Sequence, residues 1–387
     1  MSGKQRVIII GTGPAALMAG TGLLERGYSV CFYEQKKAAA RKFLVAGHGG
    51  FNLSNSLDKE AFLSMYNCEE VRQIVAAYDA EQLVAFLHGI GVPTYVGSSG
   101  KIFPEKGIKP IQVLQRWIDY LSSMGALFRY ESELVDFRQR EAHIMCKGKL
   151  IIEKFDYMVL ALGGASWPQT GATGAWLRIF AQKGIPTQAF AASNAGMVVE
   201  WSEQMRQFAG FPLKNIHCTM GQSERYGELV ITDYGLEGSP IYYLNHCFRA
   251  GEDVLYIDAK PAMDEATITA VLQAAKNISD GLKQLKIARP IITYIKEQLT
   301  KEDYTNGSGL AGYIKHVPFK IKALRPIEEA ISTVGGLSFE AVSDDLSLLE
   351  YPRIYCCGEM LDWDAPTGGY LLQACFAMGA WVARHIP

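Results

Sequence analysis

The first residues whose types and spacing indicate chemistry are GTGPAA at 11–16, directly after the apolar run VIII at 7–10. A G-x-G-x-x-A turn between a strand and a helix brings backbone N–H groups and the positive helix end up to a pyrophosphate. The first glycine allows the tight turn, the second lets backbone approach the phosphates, and the small Ala16 keeps helix and strand close. We therefore predict a dinucleotide site whose contacts here are Gly11, Gly13, Pro14, Ala15 and Ala16.

An acidic residue follows this turn at the spacing that ribose recognition requires. Residues 30–34, VCFYE, form the next predicted strand, and Glu34 ends it about 20 residues beyond the turn. Its carboxylate would accept hydrogen bonds from both hydroxyls of an adenosine ribose. We assign the neighbouring Gln35, and Val135 from a later predicted strand, to the same cofactor site.

The segment after Glu34 favours FAD over NAD, because its many small residues let backbone pass close to a flat ligand. It reads RKFLVAGHGGFNLSN at 41–55. Its two cations could meet the pyrophosphate or the carbonyl edge of the flavin, and a flexible surface loop is the alternative reading. The predicted cofactor contacts in this segment are Arg41, Lys42, Gly47, Gly49, Gly50, Asn52 and Leu53.

Three further segments lie where a doubly wound sheet places its ligand, at strand ends or at the start of a helix. ALG at 161–163 ends a buried strand, and GE at 358–359, followed by Asp362, ends a late strand. TGGYL at 367–371 opens the last predicted helix, whose N-terminal N–H groups would stabilise negative charge on a reduced flavin. The predicted contacts are Ala161, Leu162, Gly163, Gly358, Glu359, Asp362, Gly368, Gly369, Tyr370 and Leu371.

Composition excludes several other classes of protein. The formal net charge of the 387 residues is −2, whereas a nucleic-acid-binding protein is expected to carry a strongly basic face. No apolar run reaches the length of about 18 residues that a membrane helix needs, so we predict no membrane span. The eight cysteines lack C-x-x-C spacing and the seven histidines do not cluster, so we predict a reduced, cytoplasmic protein without a metal site.

Apolar periodicity predicts a nucleotide-binding domain that is interrupted by an inserted lobe. We predict the FAD-binding domain in two parts, residues 1–190 and 336–387. Short alternating segments predict a β-rich insertion at 191–262 and 317–335, and apolar residues at helical spacing predict a helical insertion at 263–316.

With these motifs, the chain resembles the BaiN-type (YhiN-type) NAD(P)/FAD-dependent oxidoreductase flavoproteins, in their aminoacetone-oxidase-like branch. The resemblance spans essentially the whole chain and also includes TDYGLEGSP at 232–240 and GG at 335–336. Relatives commonly carry Gly-Arg-Cys-Asn where this chain has Gly50-Phe51-Asn52, so a mechanism that needs that thiol or guanidinium is in doubt. The resemblance implies an α/β fold: a Rossmann-like, glutathione-reductase-like FAD-binding domain with inserted β-barrel-like and helical subdomains.

The sequence gives few candidates for catalysis itself. Lys42 could stabilise a reduced flavin, His48 could carry a proton, and Tyr234 could form a wall over the flavin ring. The non-catalytic alternatives are a lysine that lies at the surface or binds the pyrophosphate, a loop histidine without a role, and a tyrosine in a β-turn. A second dinucleotide fingerprint is missing between residues 171 and 336, so we expect NAD(P)H to bind only transiently, or the substrate itself to be the reductant.

We expect an oxidoreductase with non-covalent FAD that transfers a hydride between flavin N5 and a small or medium organic substrate. A flavin oxidase that uses oxygen and a non-catalytic flavin-binding or redox-sensing protein stay open as alternatives. A flavoprotein that modifies tRNA is disfavoured by the near-neutral charge, so we predict no nucleic-acid partner. The residues give no indication of oligomeric state.

Overall fold

The chain forms two units, the first of which is discontinuous in sequence. The structure, a computed structural model, describes residues 4–45 and 51–387. Unit 1 comprises Met1–Ala191 and Ile331–Pro387, and unit 2 comprises Ala192–Ala330.

The strands and helices of the described residues are numbered here in chain order. The strands are β1 (Arg6–Ile10), β2 (Ser29–Glu34), β3 (Ser54–Asn55), β4 (Thr94–Val96), β5 (Lys101–Pro104), β6 (Leu127–Tyr130), β7 (Ser132–Arg138), β8 (Glu141–Cys146), β9 (Lys149–Lys154), β10 (Tyr157–Leu160), β11 (Thr187–Ser193), β12 (Met197–Val199), β13 (Pro212–Met220), β14 (Ser223–Ile231), β15 (Gly235–Glu237), β16 (Val254–Asp258), β17 (Val317–Leu324), β18 (Ser332–Leu337), β19 (Ser347–Leu348) and β20 (Tyr351–Cys356). The helices are α1 (Pro14–Glu25), α2 (Arg41–Val45), α3 (Lys59–Leu63), α4 (Glu69–Ala77), α5 (Ala80–Gly89), α6 (Pro110–Ser123), α7 (Leu177–Gln182), α8 (Glu203–Arg206), α9 (Ser239–Tyr243), α10 (Asn245–Arg249), α11 (Glu265–Ala274), α12 (Ile278–Gln284), α13 (Arg289–Gln298), α14 (Lys301–Thr305), α15 (Gly307–Lys315) and α16 (Tyr370–His385).

Unit 1 is built on a six-stranded sheet in the order β19-β20-β10-β1-β2-β6. Its strands are parallel except β19, and β1 lies between β10 and β2, with Ile8 opposite Met158 on one side and Cys31 on the other. Ile8 and Ile9 are fully buried, as expected for a strand that is covered on both faces. The predicted strands at 7–10 and 30–34 are confirmed.

The first and last helices of unit 1 lie against each other at very short range. A Cβ atom at Gly379 of α16 would collide with the carbonyl oxygen of Ala15 in α1, and one at Gly22 of α1 would come within 2.8 Å of Ala383. Glycine at these positions therefore lets the C-terminal helix approach the helix of the dinucleotide turn. The predicted last helix, which TGGYL at 367–371 opens, is confirmed as α16.

Two small antiparallel sheets, β7-β8-β9 and β3-β5-β4, accompany the main sheet. Residues 60–89 carry apolar positions at helical spacing, which predicts continuous helical structure, but the structure divides this stretch into α3, α4 and α5. Asp79 is the N-cap of α5, and its side chain accepts a hydrogen bond from the Gln82 N–H in a reciprocal capping box. Local capping thus interrupts an apolar periodicity that looked continuous.

Unit 2 contains a closed barrel of antiparallel strands in the order β12-β15-β14-β13-β16-β17. Helices α11–α15 occupy the chain between β16 and β17, and their apolar faces share a core with the barrel that includes Ile257, Leu310 and Phe319. The predicted fold class, a Rossmann-like α/β domain with barrel-like and helical insertions, is confirmed.

Membrane and metal sites were searched only within residues 4–45 and 51–387. In those ranges the helices are too short or too polar for a membrane crossing. The same ranges hold no group of three or more His, Cys, Asp or Glu side chains arranged for a metal ion. All eight cysteines are free thiols.

Candidate functional site

The carboxyl ends of four parallel strands, β1, β2, β10 and β20, meet at one edge of the unit 1 sheet. The glycine turn begins there, with Gly11 at a φ of 104° and its N–H donating to the Tyr33 carbonyl oxygen at 2.8 Å. A Cβ atom at Gly11 would collide with the carbonyl oxygen of Ala161. Both the conformation and the close approach of β10 therefore require glycine at this position.

Gly13 is free of such crowding. It is the N-cap of α1 with a φ of −69°, and a Cβ atom added to it would meet nothing within 4 Å. Pro14 opens α1, and the first-turn N–H groups that follow, at Ala15 and Ala16, have no acceptor within an α-helix. Open space in front of an N-terminal turn is what a diphosphate requires.

Glu34 ends β2 beside this turn, and its carboxylate is already engaged by unit 1. Thr12 Oγ1 donates to one carboxylate oxygen at 2.5 Å and the Lys36 N–H donates to the other at 2.8 Å. Burial raises the pKa of Glu34 above its ordinary value, although these two hydrogen bonds act in the opposite direction. The next residue, Gln35, donates through Nε2 to the Gly171 carbonyl oxygen at 2.8 Å.

A cavity of about 610 Å³ lies on the Glu34 side of unit 1. Its volume is within the roughly 300–1,000 Å³ range of small-ligand sites. The lining residues are Gln35, Lys36, Lys37, Ala38, Arg41, Glu131, Glu133, Met145, Lys147 and Gly148. Gln35 and Arg41 were predicted cofactor contacts. Val135, also a predicted contact, lies on β7 with 39% of its surface exposed. It is not among the lining residues, whereas Glu133 of the same strand and Met145 of β8 are.

The predicted segment at 161–163 follows β10 at the same sheet edge. The Ala161 N–H donates to the Ile10 carbonyl oxygen at 2.9 Å, which extends the pairing of β10 with β1 by one residue. Gly163 has a φ of 70°, and its carbonyl oxygen accepts from Trp176 Nε1 at 2.9 Å. Leu162, between them, is half-buried.

Lys42 and Glu359, both predicted cofactor contacts, form an ion pair at this edge. Lys42 Nζ lies 2.8 Å from Glu359 Oε1 and 2.7 Å from Oε2, and it donates to Ser166 Oγ at 2.7 Å. Thr333 adds a backbone N–H that donates to Glu359 Oε1 at 3.2 Å. Sequence reasoning missed Ser166 and Thr333, although Ser166 lies three residues after the predicted contact Gly163 and Thr333 lies two residues before the Gly-Gly pair at 335–336.

The other predicted contacts after β20, Gly358 and Asp362, pack against or bind neighbouring segments of unit 1. Gly358 has a φ of 85°, and a Cβ atom there would come within 2.9 Å of the Ala15 Cβ. Asp362 accepts from the Gly335 N–H at 2.9 Å, and its own N–H donates to the Leu337 carbonyl oxygen at 2.8 Å. Asp362 thus ties β18 to the loop after β20.

The start of α16 rests on the segment that follows the glycine-rich stretch. Gly368 and Gly369 have φ values of 133° and 101°, and a Cβ atom at Gly369 would collide with the backbone of Ser54. Asn55 Nδ2 donates to the Gly368 carbonyl oxygen at 3.2 Å. Tyr370 is buried, and its carbonyl oxygen accepts from the Tyr66 hydroxyl at 2.9 Å.

Three other predicted contacts are Leu53, Asn52 and Leu371, in the segment before β3 and in the first turn of α16. Leu53 is fully buried, and its N–H donates to the Ile102 carbonyl oxygen at 2.8 Å. Asn52 and Leu371 are half-buried. The predicted residues Gly47, His48, Gly49 and Gly50 lie outside the described residues.

Tyr234 belongs to unit 2, as do its partners Glu237 and Arg325. Its hydroxyl donates to Glu237, and the Arg325 guanidinium lies over its ring, 4.2 Å from the centroid. Burial, followed by the hydrogen bond and the charge of Glu237, raises the pKa of Tyr234. The phenol is therefore protonated at neutral pH.

The described residues of unit 1 fit an extended dinucleotide. An open N-terminal helix turn is available for phosphates, a carboxylate ends β2 at ribose spacing, and a cavity is lined by the residues that directly follow that carboxylate in sequence. A second carboxylate and the N-terminus of α16 lie at the ends of later elements, where the other half of such a ligand would be held.

Comparisons with known proteins agree with this arrangement. The family model described as HI0933-like protein Rossmann domain matches residues 5–385. The chain is 22% identical to the ribosomal RNA dihydrouridine synthase of Haemophilus influenzae over 391 residues, which cover 96% of each protein. It is 21% identical to the 3-dehydro-bile acid delta(4,6)-reductase of Clostridium scindens over 409 residues, covering 98% of each.

Solved structures show the same fold at low sequence identity. A flavocytochrome c3 fumarate reductase in an open conformation superimposes with a TM-score of 0.56 at 12% identity, over all of this chain and 79% of that one. The 3-ketosteroid-delta4-(5alpha)-dehydrogenase of Rhodococcus jostii RHA1 gives 0.54 at 13% identity, over 99% and 97% of the two chains.

Proposed function

From the premise that the chain belongs to the HI0933-like Rossmann family, whose members are FAD-dependent oxidoreductases, we propose that it reduces a carbon–carbon double bond conjugated to a carbonyl group. The resemblance to BaiN-type (YhiN-type) flavoproteins is confirmed at the level of this family, and FAD is its cofactor. The aminoacetone-oxidase-like branch remains a prediction.

The proposed bond type comes from what the curated relatives' names have in common. Dihydrouridine is uridine whose C5–C6 double bond, conjugated to the C4 carbonyl, has been saturated. A 3-dehydro-delta(4,6) bile acid carries two double bonds conjugated to its 3-oxo group. Because an RNA base and a steroid differ in size and polarity, the common feature is an electron-poor double bond next to a carbonyl.

The observation that carries the proposal is the set of groups at the carboxyl edge of the unit 1 sheet. We propose that the open turn at Gly13 holds the diphosphate of FAD, and that Glu34 and Glu359 accept hydrogen bonds from its sugar and ribityl hydroxyls. The N-terminus of α16 would place its partial positive charge near the flavin pyrimidine ring. When bound and reduced, FAD would supply two electrons as a hydride, and a proton from the protein or from water would complete the saturation of the double bond.

Neither Lys42 nor Tyr234 is assigned as the proton donor. The Lys42 ammonium contacts Ser166 Oγ and both carboxylate oxygens of Glu359. The Tyr234 hydroxyl donates its one proton to Glu237, and burial raises its pKa, which makes it a weaker acid.

We propose a small or medium organic substrate rather than RNA. A net charge of −2 provides little of the phosphate attraction that dominates affinity for nucleic acids. Two relatives are nevertheless named as ribosomal RNA dihydrouridine synthases, so the test includes RNA as a competing substrate. NAD(P)H as a transient electron donor is a further part of this proposal.

The experiment uses the purified holoprotein without oxygen. Its flavin is reduced with NADPH, NADH or dithionite, and then mixed with uridine, a ribosomal RNA transcript, a cyclic enone and a 3-oxo-delta(4,6) steroid. Reappearance of the oxidised flavin spectrum, with a product heavier by two hydrogen atoms, is the expected result for at least one enone. The matched saturated ketone serves as the control and should leave the flavin reduced.

Other outcomes assign the chain to a different class. Rapid reoxidation by oxygen with formation of hydrogen peroxide, and none by any unsaturated acceptor, would indicate a flavin oxidase. A flavin that is reduced by NADPH or NADH but passes its electrons to none of these acceptors would favour a redox-sensing protein. Turnover of the RNA transcript alone would overturn the proposal of a small substrate.

A further inference from the structure

The Lys42 ammonium is held by acceptors of unit 1 in this structure. An ammonium group has three N–H donors, and three acceptors lie within 2.8 Å of Nζ: Ser166 Oγ and both carboxylate oxygens of Glu359. The pair is partly shielded from water, with 28% of the Lys42 side chain and 17% of the Glu359 side chain exposed. Its attraction is therefore screened less than that of a surface ion pair.

The surroundings of this pair leave little freedom for the carboxylate. Ser166 is fully buried, and the Thr333 N–H fixes Glu359 Oε1 from a different strand. At Gly164, a Cβ atom would collide with the Thr333 hydroxyl and would come within 3.0 Å of the Glu359 carboxyl carbon. Three backbone segments, after β10, in β18 and after β20, thus converge on the carboxylate that Lys42 holds.

Charge balance determines what Lys42 can do for a cofactor. Its positive charge is opposed at hydrogen-bond distance by the negative charge of Glu359, so the pair presents little net charge to its surroundings. A flavin anion would therefore gain little from Lys42 directly. Glu359, in contrast, stands at a strand end where ligand hydroxyls are held, and its direction depends on the ammonium.

We propose that Lys42 is a positioning residue for FAD that acts through Glu359 and not by contact with the flavin. The ammonium orients the carboxylate and, through it, the Gly358-Glu359 turn, so that the acceptor is in place before the cofactor's hydroxyls arrive. This inference rests on the FAD assignment of the proposed function, and it is independent of which double bond is reduced.

The test compares FAD binding and flavin reduction potential in Lys42→Met, Glu359→Gln and the double variant. We expect each single variant to weaken FAD binding about tenfold or more, because one partner of a shielded pair is left alone. The double variant should bind FAD no more weakly than the worse single variant, since both changes remove one interaction. Lys42→Arg, which keeps the charge, should recover most of the affinity.

The reduction potential separates positioning from direct contact. If Lys42 acts only through Glu359, then Lys42→Met that has been saturated with FAD keeps the wild-type potential. A clear fall in that potential, with FAD affinity unchanged, would mean that the ammonium stabilises the reduced flavin itself and would overturn the inference. Additive losses in the double variant would overturn it as well.

Controls keep the result interpretable if a variant folds poorly. Lys283→Met removes the cation of an exposed ion pair in unit 2, where 79% of the lysine side chain is in water, and should leave FAD binding unchanged. Glu359→Gln keeps the shape of the side chain and serves if Lys42→Met is unstable. A wild-type protein that binds FAD but reduces no enone would refute only the proposed reaction, whereas one that binds no FAD would refute both.

Discussion

The hydroxyl of Ser54 donates to Gln373 Oε1 at 2.8 Å, and the same Gln373 carboxamide donates through Nε2 to the Tyr78 carbonyl oxygen at 2.7 Å. Both side chains are fully buried. One amide in the first turn of α16 therefore satisfies two groups from distant parts of unit 1, and it fixes the helix whose N-terminus is proposed to face the flavin.

Replacing Gln373 by Leu should lower the free energy of unfolding by about 2 kcal/mol, because the Ser54 hydroxyl and the Tyr78 carbonyl lose their buried partner. Urea denaturation of the cofactor-free protein measures the change. Gln115→Leu, on the exposed face of α6, provides the control and should alter stability by less than about 0.5 kcal/mol. Equal stability of Gln373→Leu and wild type would contradict the assigned role.

The two glycines of the dinucleotide turn should respond differently to alanine. Gly13→Ala has room for its methyl group and an ordinary φ, so it should fold normally yet bind FAD at least about tenfold more weakly, because the methyl would occupy the diphosphate position. Isothermal titration with FAD and a thermal melt measure the two properties. Gly89→Ala, at an equally open helical position, is the matched control. Unchanged affinity in Gly13→Ala would place the diphosphate elsewhere.

Gly11→Ala, in contrast, should destabilise the protein itself by about 2–4 kcal/mol. Its φ of 104° strains an alanine, and the methyl would collide with the Ala161 carbonyl oxygen between β1 and β10. Thermal melts of the cofactor-free variant and wild type measure this loss. A variant that is as stable as wild type would mean that the turn can open without cost.

FAD affinity should depend on pH through Glu34. Burial raises the pKa of this carboxyl in the cofactor-free protein, so it takes up a proton at a higher pH than an ordinary glutamate does. The protonated group is a poorer acceptor for two ribose hydroxyls, and binding must expel the proton. Affinity should therefore be full above the raised pKa and fall by up to about tenfold per unit as pH drops below it.

The comparison for this pH dependence is Glu34→Gln, titrated with FAD by flavin fluorescence over the same pH range. It should bind FAD more weakly at neutral pH and should lack the acid-side decline of the wild type. If both proteins declined in parallel, another group would be responsible.

The adjacent free thiols of Cys356 and Cys357 should take no part in redox chemistry. Both are fully buried at the end of β20, and burial raises the pKa of each thiol well above its ordinary value, so the reactive thiolate is scarce at neutral pH. Iodoacetamide should label the half-buried Cys146 in the native protein and these two only after unfolding. Fast native labelling of Cys357, read by mass spectrometry, would contradict this.

The parts of this fold that were predictable are those whose signal is local. The strand, turn, helix and strand around Gly11 and Glu34 follow one another in sequence, so apolar runs, glycines and one acidic residue were sufficient. Strand β9, KLIIEK, was missed because it belongs to a small surface sheet and its apolar residues are half-buried or exposed.

The ion pair of Lys42 with Glu359 lay beyond sequence reasoning for a different reason. Each residue was identified as a cofactor contact, but the two are 317 positions apart, and the strand order β20-β10-β1-β2 of the sheet brings the segments after β2 and β20 to the same edge. Thr333 contributes a backbone N–H, which leaves no trace in side-chain type. Contacts made across a sheet by backbone groups are therefore the part of such a site that pattern reading misses.

The discontinuity of unit 1 has a consequence for how the protein is made. Ala192–Ala330 leaves the ribosome complete while the sheet of unit 1 still lacks β20 and α1 still lacks its partner α16. A nascent chain can therefore fold its second unit first, whereas the Lys42 ammonium has no Glu359 to meet until the final segment is synthesised. A bound FAD that contacts Glu359 therefore has to wait for this segment, and a chain that ends before β20 leaves the backbone groups of the β10 edge unpaired.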